Sequence, residues 1–513
     1  MDEDAFTWDL ICEKSHLASL AQSILQVGIL GGSLIFGHIS DSYKTMLSAD
    51  DVIETIIGRF GKYQTWILFL VTIGRFPTEY QLTNIVFIIP NVNYVCMDDN
   101  AYNLTNHCPC ENPKYDTSSI ENSVTTTFDL ICDKKHLASL TQSMLQIGIL
   151  VGNLLFGFIS DRYGRKVACL LALLTEVIFV ALSVLATELW MFIALRFLIG
   201  TGVGGTLLSC YIIIIELSGK SFRPYLTGLI ETAYVFAYIT LPFIAYFLRD
   251  WRYLQLATSL PWFFVIFYYY LIPESPRWLI TMGHKERAVD VLTHIARKNN
   301  RPTENVRDIV EKAILEIHQQ DKVQYGSYLD LFKTSKIRTY TLIMAFVWMC
   351  CSHTFFGVNQ YIGRLEGNIY LNVLLSAVSH APGLVIVVLS SLYLRRKIGV
   401  ITSFAAAGIS LLMYLVIPNT MRYPQLAFAI VGLTGAYSAF VQLYLYSSEI
   451  FPTVIRNSAM GFVSVFGRFG GFIAPFIVNI GIDWVSILIF TILIIGAGSL
   501  CYFLPETKDT VLF

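Results

Sequence analysis

Charged side chains that interrupt long apolar runs are the residues of this chain best placed to do chemistry. In hydrocarbon an ionisable group is costly unless it meets a partner, water or a charged ligand. The sharpest case is Arg468, in Val463-Ser-Val-Phe-Gly-Arg468-Phe-Gly-Gly-Phe-Ile-Ala-Pro475, where no acid is near in sequence and glycines permit close helix approach or local bending. A guanidinium in a central cavity suits a carboxylate or a sulfate, which it grips bidentately. The other reading is a structural ion pair across the cavity with Glu231 or Glu176, and Glu231 is carried as a second candidate substrate residue. Glu216 and Arg223, and likewise Glu449 and Arg456, fall at the ends of apolar runs and read as gate or anchoring charges.

A second concentration of charge is Gly157-Phe-Ile-Ser-Asp161-Arg162-Tyr-Gly164-Arg165-Lys166, between the apolar runs Leu140 to Phe158 and Val167 to Leu185. Its cations mark the cytoplasmic face, because short loops rich in Lys and Arg stay inside. Asp161, Arg162, Arg165 and Lys166 can lock two helix ends by charge-assisted hydrogen bonds and still let them part. The string resembles the loop signature of the major facilitator superfamily, G-x-x-x-D-R-x-G-R-K, at every position.

The elements that must hold these charges follow from composition. A chain of 513 residues that is 55% hydrophobic and 14% charged, with mean hydropathy +0.58, is too apolar for one soluble domain. It reads as a multi-pass, all-α membrane protein. A net charge of −1 offers no footprint for nucleic acid, and no nucleotide-binding motif points to ATP. His353 and His380 are separate residues in apolar runs with no nucleophile or metal set beside them. They read as core or cavity-lining histidines, so neither an enzyme, a cofactor nor a metal site is expected. The opening Met-Asp-Glu-Asp is acidic where a secretory signal would be basic, and no cleaved peptide is expected.

Apolar segments are expected at Thr65–Pro90, Leu140–Phe158, Val167–Leu185, Trp190–Ile215, Tyr225–Leu248 and Leu254–Ile272. Six more follow at Tyr340–Ile362, Tyr370–Leu394, Val400–Ile417, Leu426–Tyr446, Val454–Ile480 and Trp484–Leu504. Between the sets lies a polar stretch with helical spacing in Glu286–Ala296 and Val306–His318. The chain therefore divides into residues 1–48, a first six-helix bundle over 49–272, a cytoplasmic helical loop over 273–338 and a second bundle over 339–513. The halves echo each other: Glu216 and Arg223 match Glu449 and Arg456, and Pro273-Glu-Ser matches Pro505-Glu-Thr. Such a parallel repeat is what a two-bundle transporter shows, with its substrate site at the interface near midplane. The second copy of the charged loop, Leu394-Arg-Arg-Lys-Ile-Gly399, keeps the cations but lacks the acid, so the stronger latch is expected in the first half.

A further repeat is local. Asp9 to Tyr43 matches Asp129 to Tyr163 at a fixed offset of 120 residues without a gap. The copy carries Ser42 in place of Arg162 and has lost the other basic residues. It reads either as an extra N-terminal membrane helix or as a duplication artefact, and Cys12, the twin of Cys132, has no evident partner. Cys96, Cys108, Cys110 and Cys132 fall in the loop of about 91–135, placed outside by the orientation above. Two disulfides are expected there with the pairing open; a Cys-Pro-Cys metal site is the alternative, without the His pair that would complete it. Asn103-Leu-Thr105 in the same loop is a glycosylation sequon.

Pro273-Glu-Ser-Pro-Arg-Trp-Leu279, Asp250-Trp-Arg-Tyr-Leu-Gln255, Ser448-Glu-Ile-Phe-Pro-Thr-Val-Ile-Arg456, and the long loop ending in Phe128-Asp-Leu-Ile-Cys132 together resemble the organic cation, anion and zwitterion (carnitine-type) transporter family. Arg196, with Gly200, Gly202, Gly204 and Gly205 behind it, resembles the superfamily's fourth-helix R-x-x-x-G pattern, whose glycines serve helix packing. The resemblance covers about residues 50–513. It implies a twelve-helix major facilitator fold and a plasma-membrane carrier for small organic ions. It also implies that Tyr234, Phe355, Phe356, Phe440 and Tyr444 wall the cavity, holding an apolar body or a cation over a ring face. The position of Arg468 holds Arg in anion and carnitine-type members and an acid in cation-selective ones, so an anion or zwitterion is favoured. Gly383 stands where the family often has a Lys or Glu. The expected activity is secondary transport by alternating access. The competing readings are a non-transporting membrane sensor or inactive paralogue, and a sugar-type facilitator of the same superfamily.

Overall fold

The computed structural model describes residues 46–98, 105–219, 222–319, 329–365, 367–418, 420–451, 455–480 and 482–508. The duplicated segment up to residue 45, with Cys12 and Ser42, and the sequon residue Asn103 lie outside the described residues. The chain is built almost wholly of helices. A helix, α1 (Met46–Ile57), precedes α2 (Lys62–Gly74) and α3 (Phe76–Thr83). Then come α4 (Lys135–Tyr163), α5 (Arg165–Ser183), α6 (Leu189–Glu216), α7 (Arg223–Phe247) and α8 (Trp251–Ser259). The helices α9 (Pro276–Thr281), α10 (Lys285–Lys298) and α11 (Val306–Gln319) lead to α12 (Ser335–Ile362), α13 (Ile369–Tyr393), α14 (Arg396–Val416), α15 (Arg422–Ile450), α16 (Arg456–Val478) and α17 (Asp483–Cys501).

Among the described residues, eleven helices are long and apolar enough to cross a bilayer. The twelfth expected span, Thr65–Pro90, is not one helix: it breaks at Arg75 between α2 and α3 and again at Asn84, before a short helix at Ile85–Ile88. Pro77, in the first turn of α3, has no N–H to continue the ladder from α2. The sixth span also changes character, passing from α8 into a 3₁₀ stretch, Leu260–Phe267, that begins around Pro261.

Within the first half, α4 and α6 pack backbone to backbone. A Cβ on Gly148 would sit 2.2 Å from the Phe197 carbonyl oxygen, and one on Gly204 would sit 2.2 Å from that of Ile149. Small residues are what permit this approach when no hydrophobic force drives helices together in lipid. In the second half α12 and α16 meet the same way, Gly470 facing the Met349 carbonyl at 2.2 Å.

On the inner side, Ile53, Ile56 and Ile57 of α1 share an apolar core with Leu279, Ile280, Leu292, Ile295 and Val310. Asn299 ties this layer to the start of the first span, accepting from the Tyr63 N–H at 3.0 Å and donating to Gln64 Oε1 at 2.7 Å. On the outer side a two-stranded ribbon pairs β1 (Tyr94–Cys96) with β2 (Pro113–Tyr115) in antiparallel register, Tyr94 opposite Tyr115. Disulfides join Cys96 to Cys110 and Cys108 to Cys132, which settles the pairing and leaves these four cysteines no thiolate for a metal. Asp98 accepts the Glu111 N–H at 2.7 Å and the Asn112 N–H at 3.1 Å, bonds that hold its carboxyl below the usual carboxylate range.

Candidate functional site

The two halves meet along α4 and α16 and along α7 and α13. Toward the outer end the seam is closed by hydrogen bonds: Ser143 Oγ donates to the Phe472 carbonyl at 2.7 Å, Asn479 Nδ2 to Ser139 Oγ at 2.6 Å, and Tyr370 Oη to the Ser119 carbonyl at 2.6 Å. Nearer the middle, the Tyr238 hydroxyl of α7 bonds to Asn359 Oδ1 of α12 and lies 3.1 Å from Ser376 Oγ of α13.

Below this closure the halves build an aromatic box. Tyr234 of α7 stacks on Tyr437 of α15 with centroids 6.0 Å apart, and Phe355 of α12 stacks on Phe440 of α15 at 5.5 Å. Phe356 meets Phe355 edge-on at 5.1 Å, and Tyr444 stands perpendicular to Trp348 at 4.5 Å. All five aromatics named from the resemblance thus come together. Three members were not singled out as binding residues in the sequence: Tyr437, Trp348 and His380, whose ring lies 4.6 Å from Tyr437 and 5.4 Å from Tyr234. The hydroxyls of Tyr234 and Tyr437 and Nε2 of His380 are buried without a hydrogen-bond partner among the described residues. A buried aromatic cluster carrying a few unspent polar atoms has the chemical make-up of a small-molecule site.

Arg468 lies on α16 next to this box and is half-buried, with its charge felt at Tyr444. No acid pairs with it among the described residues. The ion-pair reading therefore finds no support: Glu176 Oε2 accepts instead from Thr78 Oγ1 at 2.6 Å and Thr206 Oγ1 at 3.4 Å, and Glu231 interacts electrostatically with Arg75. Arg75 is itself buried and holds Glu79 at 2.5 Å one helical turn on. Glu231 is also within electrostatic reach of Tyr234, Tyr437 and Tyr444. A guanidinium thus lies beside the cluster on the second-half side, and on the first-half side Arg75 is paired with Glu79 and within electrostatic reach of Glu231. Arg75 and Glu79 were missed because their run was read only for its length; an Arg and a Glu four apart inside it was the signal.

Gly383 packs against Tyr437, a Cβ there falling 3.0 Å from the ring. The α6 glycines lie elsewhere in the first half, whereas Arg196, bonded to Gln81 Oε1 at 3.1 Å, shares the wall of a cavity with Phe356.

The loop charges form a separate cluster at the inner end. Arg165 donates from Nε and Nη2 to both oxygens of Glu216 at 3.0 and 3.1 Å, and from Nη1 to Asp161 Oδ1 at 2.7 Å. Glu274, of the Pro-Glu-Ser-Pro-Arg string, accepts the backbone N–H groups of Arg165 and Lys166 at 2.9 and 3.1 Å. Gly164 makes room for it: its φ is +109°, and a Cβ would lie 2.3 Å from Glu274 Oε2. Arg162 points into solvent over the Phe158 and Tyr163 rings, while the Lys166 ammonium lies 4.5 Å over Tyr269.

The second half repeats the arrangement with Arg396, Glu449 and Glu506. Arg396 Nε is 3.3 Å from both Glu449 oxygens, and Glu506 accepts the Arg396 N–H at 2.8 Å. The position without an acid is served by Lys508, whose ammonium donates to the carbonyls of Ser391, Leu392 and Leu394 at 3.3, 2.6 and 3.1 Å. Arg223 and Arg456 each donate Nε to a carbonyl at the preceding helix end, Ile215 at 3.2 Å and Phe451 at 3.4 Å. Both clusters lie within one half, so the first joins α4, α5 and α6 to the α9 entry and the second joins α13, α14 and α15 to the end of α17.

Comparison with known proteins agrees with this architecture. Residues 98–513 match the family described as sugar (and other) transporters. Solute carrier family 22 member 3 of Rattus norvegicus is 32% identical over 76% of this chain and 70% of its own. Organic cation/carnitine transporter 2 of Homo sapiens and an organic cation transporter protein of Drosophila melanogaster are each 28% identical over 90% of this chain and 92% of theirs. Among solved structures, the xylose transporter XylE of E. coli in an inward-open conformation superposes with TM-score 0.66 at 18% identity, covering 88% of this chain and 98% of that one, a likeness of fold. The chain is a multi-pass membrane transporter, not an enzyme, and belongs to the organic cation, anion and zwitterion (carnitine-type) transporter family of the major facilitator superfamily.

Proposed function

We propose that this chain is a secondary carrier of small organic ions at the plasma membrane, favouring a zwitterion or an anion over a simple cation, and that it works by alternating access. The observation that carries this reading is Arg468: a half-buried guanidinium beside the aromatic cluster, without an acid partner among the described residues. A substrate carboxylate or sulfate supplies the missing charge through two parallel N–H···O bonds. The substrate's apolar body fits the box of Tyr234, Phe355, Phe356, Phe440, Tyr444 and Tyr437. For a zwitterion, a quaternary or protonated nitrogen would lie over a ring face and toward Glu231, whose neighbour Arg75 is already paired with Glu79. The relatives named for organic cations and carnitine support an organic ion as cargo.

In this reading the outer bonds Ser143–Phe472, Ser139–Asn479 and Ser119–Tyr370 are made in an inward-facing state and break as the halves rock. The Arg165 and Arg396 clusters hold each half rigid at its inner end and form the gating machinery, with Asp161, Glu216, Arg223, Glu449 and Arg456. The test is uptake of a matched set, an organic anion, an organic cation and a carnitine-like zwitterion, by cells expressing the full chain or Arg468→Ala. Anion and zwitterion uptake lost in the variant, at unchanged surface expression, supports the reading. Anion uptake indifferent to Arg468 sinks it.

A further inference from the structure

Arg196 of α6 presents a second unanswered positive charge, well inside the first half. It is 0% exposed, and only one of its nitrogens is used: Nη1 donates to Gln81 Oε1, while Nε and Nη2 are buried without a partner. Those two atoms form the edge of the guanidinium with which Arg165 holds both oxygens of Glu216. At Arg196 that edge has no carboxylate among the described residues. Gln81 does not neutralise it, being a neutral amide that is itself donating to Gln255 Oε1 at 2.8 Å. A buried guanidinium without a counter-charge costs several kcal/mol.

Arg196 borders a cavity between the halves, on the outer side of the aromatic box, whose walls include Gln142, Gln146, Asn359, Gln360 and Phe356. The Gln142 amide has neither atom bonded, and Gln360 Nε2 is likewise buried and unpartnered. Unpartnered donors of the guanidinium and of two amides thus line one small space. Their complement is an anion small enough to fit and flat enough, or spherical enough, to accept from several N–H groups at once. Arg468 is not in this wall; Gly471, nearly one turn further along α16, is.

We infer that this cavity is a second anion site, taking a small monovalent anion, either the carboxylate group of a transported molecule or a free halide. It goes beyond the organic-ion reading and stands or falls separately from Arg468. Because the cavity is walled by α4 and α6 from one half and α12 and α16 from the other, an anion there bridges the seam and favours the outward-closed arrangement.

The test uses the full chain in lipid nanodiscs. The thermal unfolding midpoint is followed while formate or chloride replaces a bulky sulfonate at constant ionic strength. A saturable rise is expected. Formate alone acting identifies a carboxylate site; chloride acting, with or without formate, identifies a free-ion site. Arg196→Gln should raise the half-saturating concentration at least tenfold. Gln146→Glu, which sets a carboxylate on the cavity wall, should abolish the response and raise the midpoint in sulfonate, and it keeps the test decisive if Arg196→Gln does not fold. Arg468→Ala should leave the response intact. No saturable response in the unmodified chain, a response that survives both cavity variants, or one lost only in Arg468→Ala would overturn the inference.

Discussion

Arg165 and Glu216, fifty-one positions apart, are joined by two parallel hydrogen bonds of 3.0 and 3.1 Å, and both side chains are almost completely buried. Their counterparts Arg396 and Glu449 are 3.3 Å apart and noticeably more exposed. The tighter pair is the one whose loop also carries an acid, Asp161.

That fork should be sensitive to shape as well as charge. Arg165→Lys keeps the cation but loses the second bond to Glu216. With about 1.5–3 kcal/mol at stake for hydrogen bonds to a charged group, initial uptake rates should fall roughly tenfold or more. Arg396→Lys should cost less, its pair being wetter. Equal losses at both sites, measured at matched surface expression, would contradict this ranking.

The aromatic box predicts a split between ring and hydroxyl. Phe440→Ala removes the partner stacked on Phe355 and should raise KM for uptake about tenfold, in line with roughly 0.5–1.5 kcal/mol for the ring pair beyond the burial lost. Tyr437→Phe keeps the stack on Tyr234 and should change KM by no more than about twofold unless the unpartnered hydroxyl bonds the substrate. Concentration-dependent uptake separates these outcomes.

Charge preference should respond at Glu231. Glu231→Gln removes a buried carboxylate within electrostatic reach of Tyr234, Tyr437 and Tyr444, so uptake of an anion should rise relative to a zwitterion of the same size, by about tenfold for each 1.4 kcal/mol of lost cation preference. An unchanged ratio would take Glu231 out of the substrate site.

The outer seam offers a mechanical test. Ser139 and Asn479 approach to 2.6 Å across the halves. Ser139→Cys combined with Asn479→Cys should form an oxidant-dependent crosslink that stops uptake, with recovery on reduction. Undiminished uptake in the crosslinked protein would rule out a rocking motion that opens this seam.

Peptide mapping without reduction should recover Cys96 with Cys110 and Cys108 with Cys132. Cys108→Ser should lower the yield of folded protein, since a bridge of this kind contributes about 2–4 kcal/mol.

Much of the fold was legible because bilayer thickness imposes a length on every span, and eleven of the twelve expected runs meet it as helices. The first run was not, because its apolar count conceals Pro77, which ends one ladder and begins another. The polar stretch announced its helices by period alone, with Glu286–Ala296 and Val306–His318 expected and Lys285–Lys298 and Val306–Gln319 found. The site was legible where charge is conspicuous, at Arg468, or where resemblance named rings. Tyr437 and Trp348 carried no such signal in a chain that is 14% aromatic. Glu274 was quoted as part of a motif, but its task of receiving two N–H groups from α5 appears only when residues more than a hundred positions apart are brought together.

The mirrored clusters around Arg165 and Arg396 bear on how such a machine ages under mutation. Each is self-contained, closing on carboxylates of its own half through Glu274 or Glu506. A lesion in one therefore slackens a single lever arm and leaves its twin taut, so damage there should surface as asymmetric slowing of one stroke of the cycle, not as uniform loss of affinity.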